Sequence, residues 1–260
     1  MMEIKAVKTY ENGFITQGAA FGGEEGMDAF DSNIKYRASI QNYLIDTGDE
    51  VILVDTGFPE EMPDPEYNEN MAAYNGERIS DYLTAFKKLG YDVDDVTKII
   101  VTHKHGDHTG ELRKFPNAEV YISKTDADAL GLKGDNIIPV EFKDNPYKNF
   151  PKSEKIMDGI YFIEAPGHTN GNCIVIVEKD DLYYMIHGDI TYTDEALYAD
   201  KLSIVFEDIP KARQTQNMVL EFIRNNPTVY LSTHTPLGPE NLENKYVIDL
   251  ENPPESIYPE

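Results

Sequence analysis

Apolar and polar positions change period along this chain, and each period predicts an element. In "NYLIDTGDEVILVDTG" two apolar runs, Tyr43–Ile45 and Val51–Val54, flank a turn rich in Thr, Gly and Asp. That pattern predicts a hairpin ending at Asp55. Ile79, Tyr82, Leu83 and Phe86 then recur at helical spacing, and the segment stops at Gly90, which predicts a helix over 77–90. Strand and helix patterns alternate after it: "KIIVT" (98–102), "ELRKF" (111–115), "AEVYIS" (118–123) and "KTDADAL" (124–130). "GIYFIEA" (159–165), "NCIVIVE" (172–178) and "DLYYMIH" (181–187) read as three strands. "DIPKARQTQNMVLEFIRNN" (208–226) reads as a helix with Asp208 at its N-cap and Pro210 in its first turn. "TVYLST" (228–233) is a last strand, and the tail 251–260 reads as peripheral.

Both halves thus run from a β-meander into β/α alternation. Two sheets packed face to face with helices outside satisfy that plan, as a single αββα domain over 1–260. Two stretches carry no period: the glycine-rich, polar 18–33, and 57–77 with its three prolines. Long loops of this kind are usually functional or mobile. Phe21, Phe30, Tyr67, Met71 and Tyr74 could line a pocket from these loops, or simply pack within them.

Composition narrows the function classes. The chain has 260 residues, 47 acidic and 23 basic, for a formal net charge of −24. Such a field repels phosphate backbones and anionic lipids, which argues against nucleic acid and membranes as partners. A neutral or cationic small molecule, or one held by metal ions, fits better. The one cysteine, Cys173, sits in an apolar run and reads as a packed thiol in a reducing compartment. The N-terminus lacks a signal-peptide pattern, and no apolar run approaches the ~20 residues that span a bilayer. A cytoplasmic location is therefore expected, with a homodimer allowed.

The candidate chemistry lies in "IIVTHKHGDHTGEL" (99–112). His103, His105, Asp107 and His108 fall within six consecutive positions of a chain that has six histidines. Side chains at i and i+2 of an extended segment point the same way, so His103 and His105 can converge on one ion. Gly106 then lets the backbone turn sharply, so that Asp107 and His108 face elsewhere at the start of a helix. That is half of a two-metal site; a solvated polar loop is the alternative. Three more residues lie just past strand ends, where loops of an α/β architecture gather. They are His168 in "APGHTNG", Asp189 in "MIHGDITY" and His234 in "YLSTHTPLG". Nitrogen and carboxylate donors suit zinc and admit manganese or iron. Asp189 has two oxygens and can bridge two ions. A water between ions roughly 3.5–4 Å apart is a hydroxide near neutral pH. His187 reads as structural, and Lys104 as solvent-facing.

In that order, "THKHGDHTG", "APGHTNGN", "HGDITY" and "STH" resemble the metallo-β-lactamase superfamily, from the "ILVDTG" hairpin to His234. The resemblance implies an α/β (α+β) four-layer αββα sandwich holding two divalent ions. It implies His103, His105 and His168 on the first ion, Asp107, His108 and His234 on the second, and Asp189 bridging. It also puts Asp55 behind the ligands as a support. Within the superfamily, "ILVDTGFPE" and "RISDYLTAFKKLGYDVDDVTKIIVTHKHGDHTG" resemble the N-acyl homoserine lactonase group, whose members are quorum-quenching enzymes. That implies hydrolysis of a neutral lactone or related ester by a metal-bridging hydroxide. Tyr192 would contact the substrate carbonyl, and Asp107 would handle the leaving-group proton. Three departures stand out: "GHTNGN" replaces the expected "GHTPGH", Thr109-Gly110-Glu111 replaces Ala-Gly-Gly, and the acidic N-terminal loop does not resemble a dedicated acyl-chain groove. A glyoxalase-II-like thioester hydrolase and a persulfide-dioxygenase-like enzyme with one iron are the alternatives, and metal content separates them.

Overall fold

The computed structural model describes residues 2–257. Strand β1 (Glu3–Thr16) leads through α1 (Gln17–Phe21) into β2 (Lys35–Asp46), antiparallel to it, and β3 (Val51–Val54) completes the expected hairpin. Two short strands, β4 (Ala73–Tyr74) and β5 (Glu77–Arg78), pair with β1. Past α2 (Tyr82–Lys88), the strands β6 (Val96–Val101), β7 (Glu119–Ser123) and β8 (Ile137–Val140) extend the sheet in parallel. Helices α3 (Gly106–Thr109) and α4 (Lys124–Leu130) connect them. The second sheet takes β9 (Ser153–Met157), β10 (Ile160–Glu164), β11 (Cys173–Lys179) and β12 (Leu182–Ile186) as an antiparallel meander. Helices α5 (Asp194–Tyr198) and α6 (Ile209–Asn225) then lead to β13 (Thr228–Leu231), parallel to β12, and α7 (Leu237–Asn244) follows.

Strand alternation decides what each face meets. Tyr43, Ile45, Ile52 and Val54 of one sheet pack against Phe162, Val175, Val177, Ile186 and Leu231 of the other. The intervening Leu44, Leu53, Ile99 and Val101 turn outward onto Tyr82 and Phe86 of α2. Likewise Ile174, Ile176 and Met185 meet Val219, Leu220, Phe222 and Ile223 of α6. Helix, sheet, sheet and helix make the four-layer sandwich that the resemblance implies. Among the described residues no helix is long and apolar enough to cross a membrane.

Several local expectations need correction. The helix expected over 77–90 begins at Tyr82, because Asp81 caps it by accepting from Thr84 N at 2.8 Å. Arg78 lies in β5, and Ile79 is 46% exposed, so its helical spacing was coincidental. The segment 18–33 is not wholly irregular: Thr16 caps α1, which buries Ala19, Ala20 and Phe21. "ELRKF" forms a 3-10 turn over Leu112–Lys114. Strand β1 went unread because register shifts at Lys8/Tyr10 and Tyr10/Gly13 break its alternation. The tail is not all peripheral, since Ile257 is buried; residues 258–260 lie outside the described residues.

Helix α5 buries two carboxyls in its first turn, Asp194 and Glu195. Burial pushes Glu195 up to about 8. The folded chain therefore holds a proton that the unfolded chain gives up near 4.5. Between those values the folded state binds more protons, so stability falls as pH rises through the window and levels off above it. Glu195→Gln is expected to flatten that fall, read as Tm from about pH 5 to about pH 9. Parallel curves for wild type and variant would contradict it.

Candidate metal centre

The C-terminal ends of β6, β10, β12 and β13 meet at one edge of the sandwich, and each delivers ligand-type side chains just beyond its last residue. After β6, His103 is buried and His105 caps α3, whose first turn carries Asp107 and His108. Gly106 is ordinary helix backbone with open space where a Cβ would stand. The start of the helix therefore redirects the chain, without any conformation special to glycine. His168 follows β10 in the turn Pro166–Gly167, and Asp189 follows β12. Gly188, before Asp189, has φ +60, and a Cβ there would lie 2.8 Å from Thr102 Oγ1. His234 follows β13, and Ser39 N of the other sheet donates to its carbonyl at 3.2 Å.

Two clusters result. His103 Nε2 and His168 Nε2 lie 3.0 and 2.9 Å from His105 Nδ1. Asp189 Oδ2 closes this group at 3.7 Å from His103 Nε2 and 3.3 Å from His168 Nε2. In the second cluster, His108 Nε2 is 3.2 Å from Asp189 Oδ1 and 3.6 Å from Asp107 Oδ2. His234 Nε2 lies 3.1 Å from Asp189 Oδ2 and 3.4 Å from Asp107 Oδ2. All seven expected side chains are brought together, with the Asp189 carboxylate between the groups. In each cluster the donor atoms lie within 4.8 Å of one another.

Donor chemistry tests whether such a cluster suits cations. Burial, reinforced by the neighbouring rings, holds His103 well below the ordinary imidazole value, and burial takes His168 down to about 4. Neutral rings keep lone pairs free for a metal. Burial opposes ionisation of Asp189, but His234, His108, His103 and His168 together hold it well below the usual carboxylate range. His108 is raised against its burial by Asp189, Asp107 and Asp55. A carboxylate-rich pocket that draws a proton onto a buried imidazole is one that a cation neutralises. His108 Nε2 and Asp189 Oδ1 are also buried, facing each other at 3.2 Å without a well-aligned hydrogen bond, a costly state that coordination relieves. The residues fit two divalent ions.

Behind the clusters stand residues that sequence reasoning found only in part. Asp55 Oδ2 is 2.7 Å from His108 Nδ1 and accepts from Thr102 Oγ1 at 2.7 Å, while Oδ1 takes Thr102 N at 2.7 Å. Asp126 was missed. Its buried Oδ2 accepts from Lys104 N at 2.9 Å and Thr169 Oγ1 at 2.8 Å, joining the turns that carry His105 and His168. Gly171 leaves it room, since a Cβ there would lie 2.5 Å from Asp126 Oδ1. Asp126 sits past a strand end like the ligands, a placement that was its one readable signal. His187 belongs to neither cluster: it stacks on Tyr230 with ring centroids 3.9 Å apart and bonds Ser232 Oγ at 3.0 Å. Ser232 in turn donates to Asp194 at 2.7 Å. Lys104 is not merely solvent-facing, because it pairs with Glu207 at 2.6 Å. Buried Glu111 accepts from Glu60 N, so it pins the 57–77 segment to α3.

Tyr192 stands beside the clusters, its ring 5.2 Å from His234 and 5.9 Å from His168. Burial and the carboxylates of Asp189 and Asp107 push its hydroxyl well above the ordinary phenol value, so it remains a donor. It adjoins an apolar group of Phe21, Phe30, Tyr36 and Ile204. Phe206 stands perpendicular to the His168 ring, with centroids 5.8 Å apart. Tyr67 and Tyr74 instead pack on each other and on Phe14 of β1, at 5.5, 6.3 and 6.1 Å between ring centroids. Cys173 is a buried thiol pushed up by burial.

Comparison with known proteins shows the family and the fold. The model of the metallo-beta-lactamase superfamily matches residues 37–236. The N-acyl homoserine lactonase AiiA of Bacillus thuringiensis subsp. kurstaki is 26% identical over 189 residues, covering 70% of this chain and 72% of that protein. In fold, the chain is similar to a Bacillus thuringiensis AiiA mutant with N-decanoyl-L-homoserine bound at its active site. That likeness has a TM-score of 0.69 at 19% identity, over 95% of this chain and 96% of that one. A dizinc quorum-quenching lactonase in complex with its product is similar too, with a TM-score of 0.66 at 18% identity, over 90% and 88% of the two chains.

Proposed function

Because the chain belongs to the metallo-beta-lactamase superfamily, we propose that it is a two-ion hydrolase that opens a lactone or a related ester. The observation that carries this reading is the pair of complete donor clusters sharing Asp189. His103, His105 and His168 would hold one ion, Asp107, His108 and His234 the other, and Asp189 both; zinc suits these donors. When bound, such ions supply an activated water and Lewis acidity toward a carbonyl oxygen. Likeness to an N-acyl homoserine lactonase supports the choice of a lactone.

The chain's own residues have three tasks. Tyr192, held protonated, donates to the oxygen on which charge develops. Ring opening adds one water: its oxygen bonds the acyl carbon, the bond to the alkoxide breaks, and the water's proton passes to that alkoxide. Asp107 is the carrier, since its carboxylate belongs to the second cluster and its side chain is 15% exposed, against 3% for Asp189. The apolar group around Phe21, Phe30 and Ile204 keeps bulk water from one side. The complete second cluster favours this reading over the single-iron one.

Zinc-loaded protein assayed on acyl homoserine lactones of several chain lengths, beside a thioester, tests the reading. Ring opening above the metal-free control is expected, with kcat about 10²–10³-fold lower for Tyr192→Phe. Turnover of the thioester alone would overturn the choice of lactone.

A further inference from the structure

We propose that Glu207 is a positioning residue that sets the separation of His105 and His168, and so the fit of one ion; this rests on the two-ion reading above. The observation is a convergence of contacts on one carboxylate in the segment between α5 and α6. Glu207 Oε1 accepts from Lys104 Nζ at 2.6 Å, and Lys104 lies between His103 and His105. Glu207 Oε2 accepts from Asn170 N at 2.8 Å and Asn170 Nδ2 at 3.1 Å, two residues past His168. The Glu207 N–H adds bonds of 3.0 Å to the Gly167 carbonyl and 3.1 Å to that of His168. Lys211 Nζ holds the Asn170 amide from the far side, donating to Oδ1 at 3.1 Å.

These contacts tie the two ligand turns together, as those of Asp126 do. His103 is fully buried and needs no further restraint, whereas His105 is half-buried at the rim. Lys104 therefore transmits the position of Glu207 to the least enclosed ring of the cluster. Asn170 stands at the departure from "GHTPGH": a proline there has neither the N–H nor the amide that Glu207 binds. The link thus belongs to this sequence. A half-exposed ion pair adds little to global stability. A partner that orients a ligand, by contrast, changes metal affinity about 10–100-fold.

Cobalt(II) titration of the apo protein, followed by its visible absorption, tests the proposal in two backgrounds. His234→Ala removes a donor from the second cluster, and His103→Ala removes one from the first. Adding Glu207→Ala is expected to weaken cobalt about tenfold in the His234→Ala background and less than about twofold in the His103→Ala background. The Tm of the apo protein should not move. Lys104→Met and Asn170→Pro should each reproduce part of the loss, and neither should add to Glu207→Ala in full. Equal weakening in both backgrounds, no weakening in either, or a loss that tracks a lower apo Tm overturns the proposal. Should Glu207→Ala fail to fold, the other two variants carry the same test. A wild-type chain that takes up a single ion contradicts the two-ion reading instead, and the effect of Glu207→Ala on that ion then decides the role of Glu207.

Discussion

Asp189→Asn is expected to take up one divalent ion where the wild type takes two, and to lose about 10²–10³-fold in kcat. The substitution is nearly isosteric, so what it removes is charge. Asp189 Oδ2 lies 3.7, 3.3 and 3.1 Å from the facing nitrogens of His103, His168 and His234, and Oδ1 lies 3.2 Å from that of His108. Among the described residues, Asp189 is the one ligand-type side chain that belongs to both donor groups. An amide at 189 leaves each group its own three donors but nothing negative between two dications, and their repulsion at close range in a buried site is strong. Metal analysis after dialysis reads the stoichiometry, and a steady-state assay with saturating zinc reads the rate. A variant that retains two ions and its full rate would show that Asp189 is not shared.

The second large effect falls on stability. Asp55→Ala is expected to cost about 3–5 kcal/mol, read by urea denaturation of the apo protein, because it strips a buried carboxylate from buried partners. Thr102 N, Thr102 Oγ1 and His108 Nδ1 all direct their polar atoms at it, and Thr102, His108 and Asp55 are buried to within 1% exposure. Asp55 also holds φ +65, a left-handed conformation that aspartate tolerates and alanine does not favour. Metal affinity should fall about 10–100-fold in the same variant, since His108 loses the partner that orients its ring. Asp55→Asn keeps an acceptor for Thr102 N and should lie between. A loss below about 1 kcal/mol for Asp55→Ala would mean that the pocket relaxes around the missing carboxylate.

The legible part of this protein was the part in which chemistry is local. His103, His105, Asp107 and His108 are neighbours in sequence, and a strand end followed by a helix start is enough to aim them. His168, Asp189 and His234 were readable because each follows an apolar run whose end could be placed. The layers were readable for the same reason: β3 and β11 are short apolar runs, and with β2 they are covered on both faces. Strand β1 was not, because it forms no such run and its bulges interrupt its alternation. Asp126 and Glu207 were harder to read for another reason: their partners, backbone and side chain, lie 22 to 103 positions away, and no composition or spacing marks such a contact. Glu207 precedes the helix cap Asp208 and reads as one more acidic residue in an acidic chain.

The most direct test of the central claim is ion stoichiometry joined to activity. Purified protein stripped with a chelator should be inactive on a lactone. Titration with zinc should restore ring opening in proportion to filling, reaching full rate at two ions per chain. Full rate at one ion per chain, or ring opening that survives the chelator, would contradict the account.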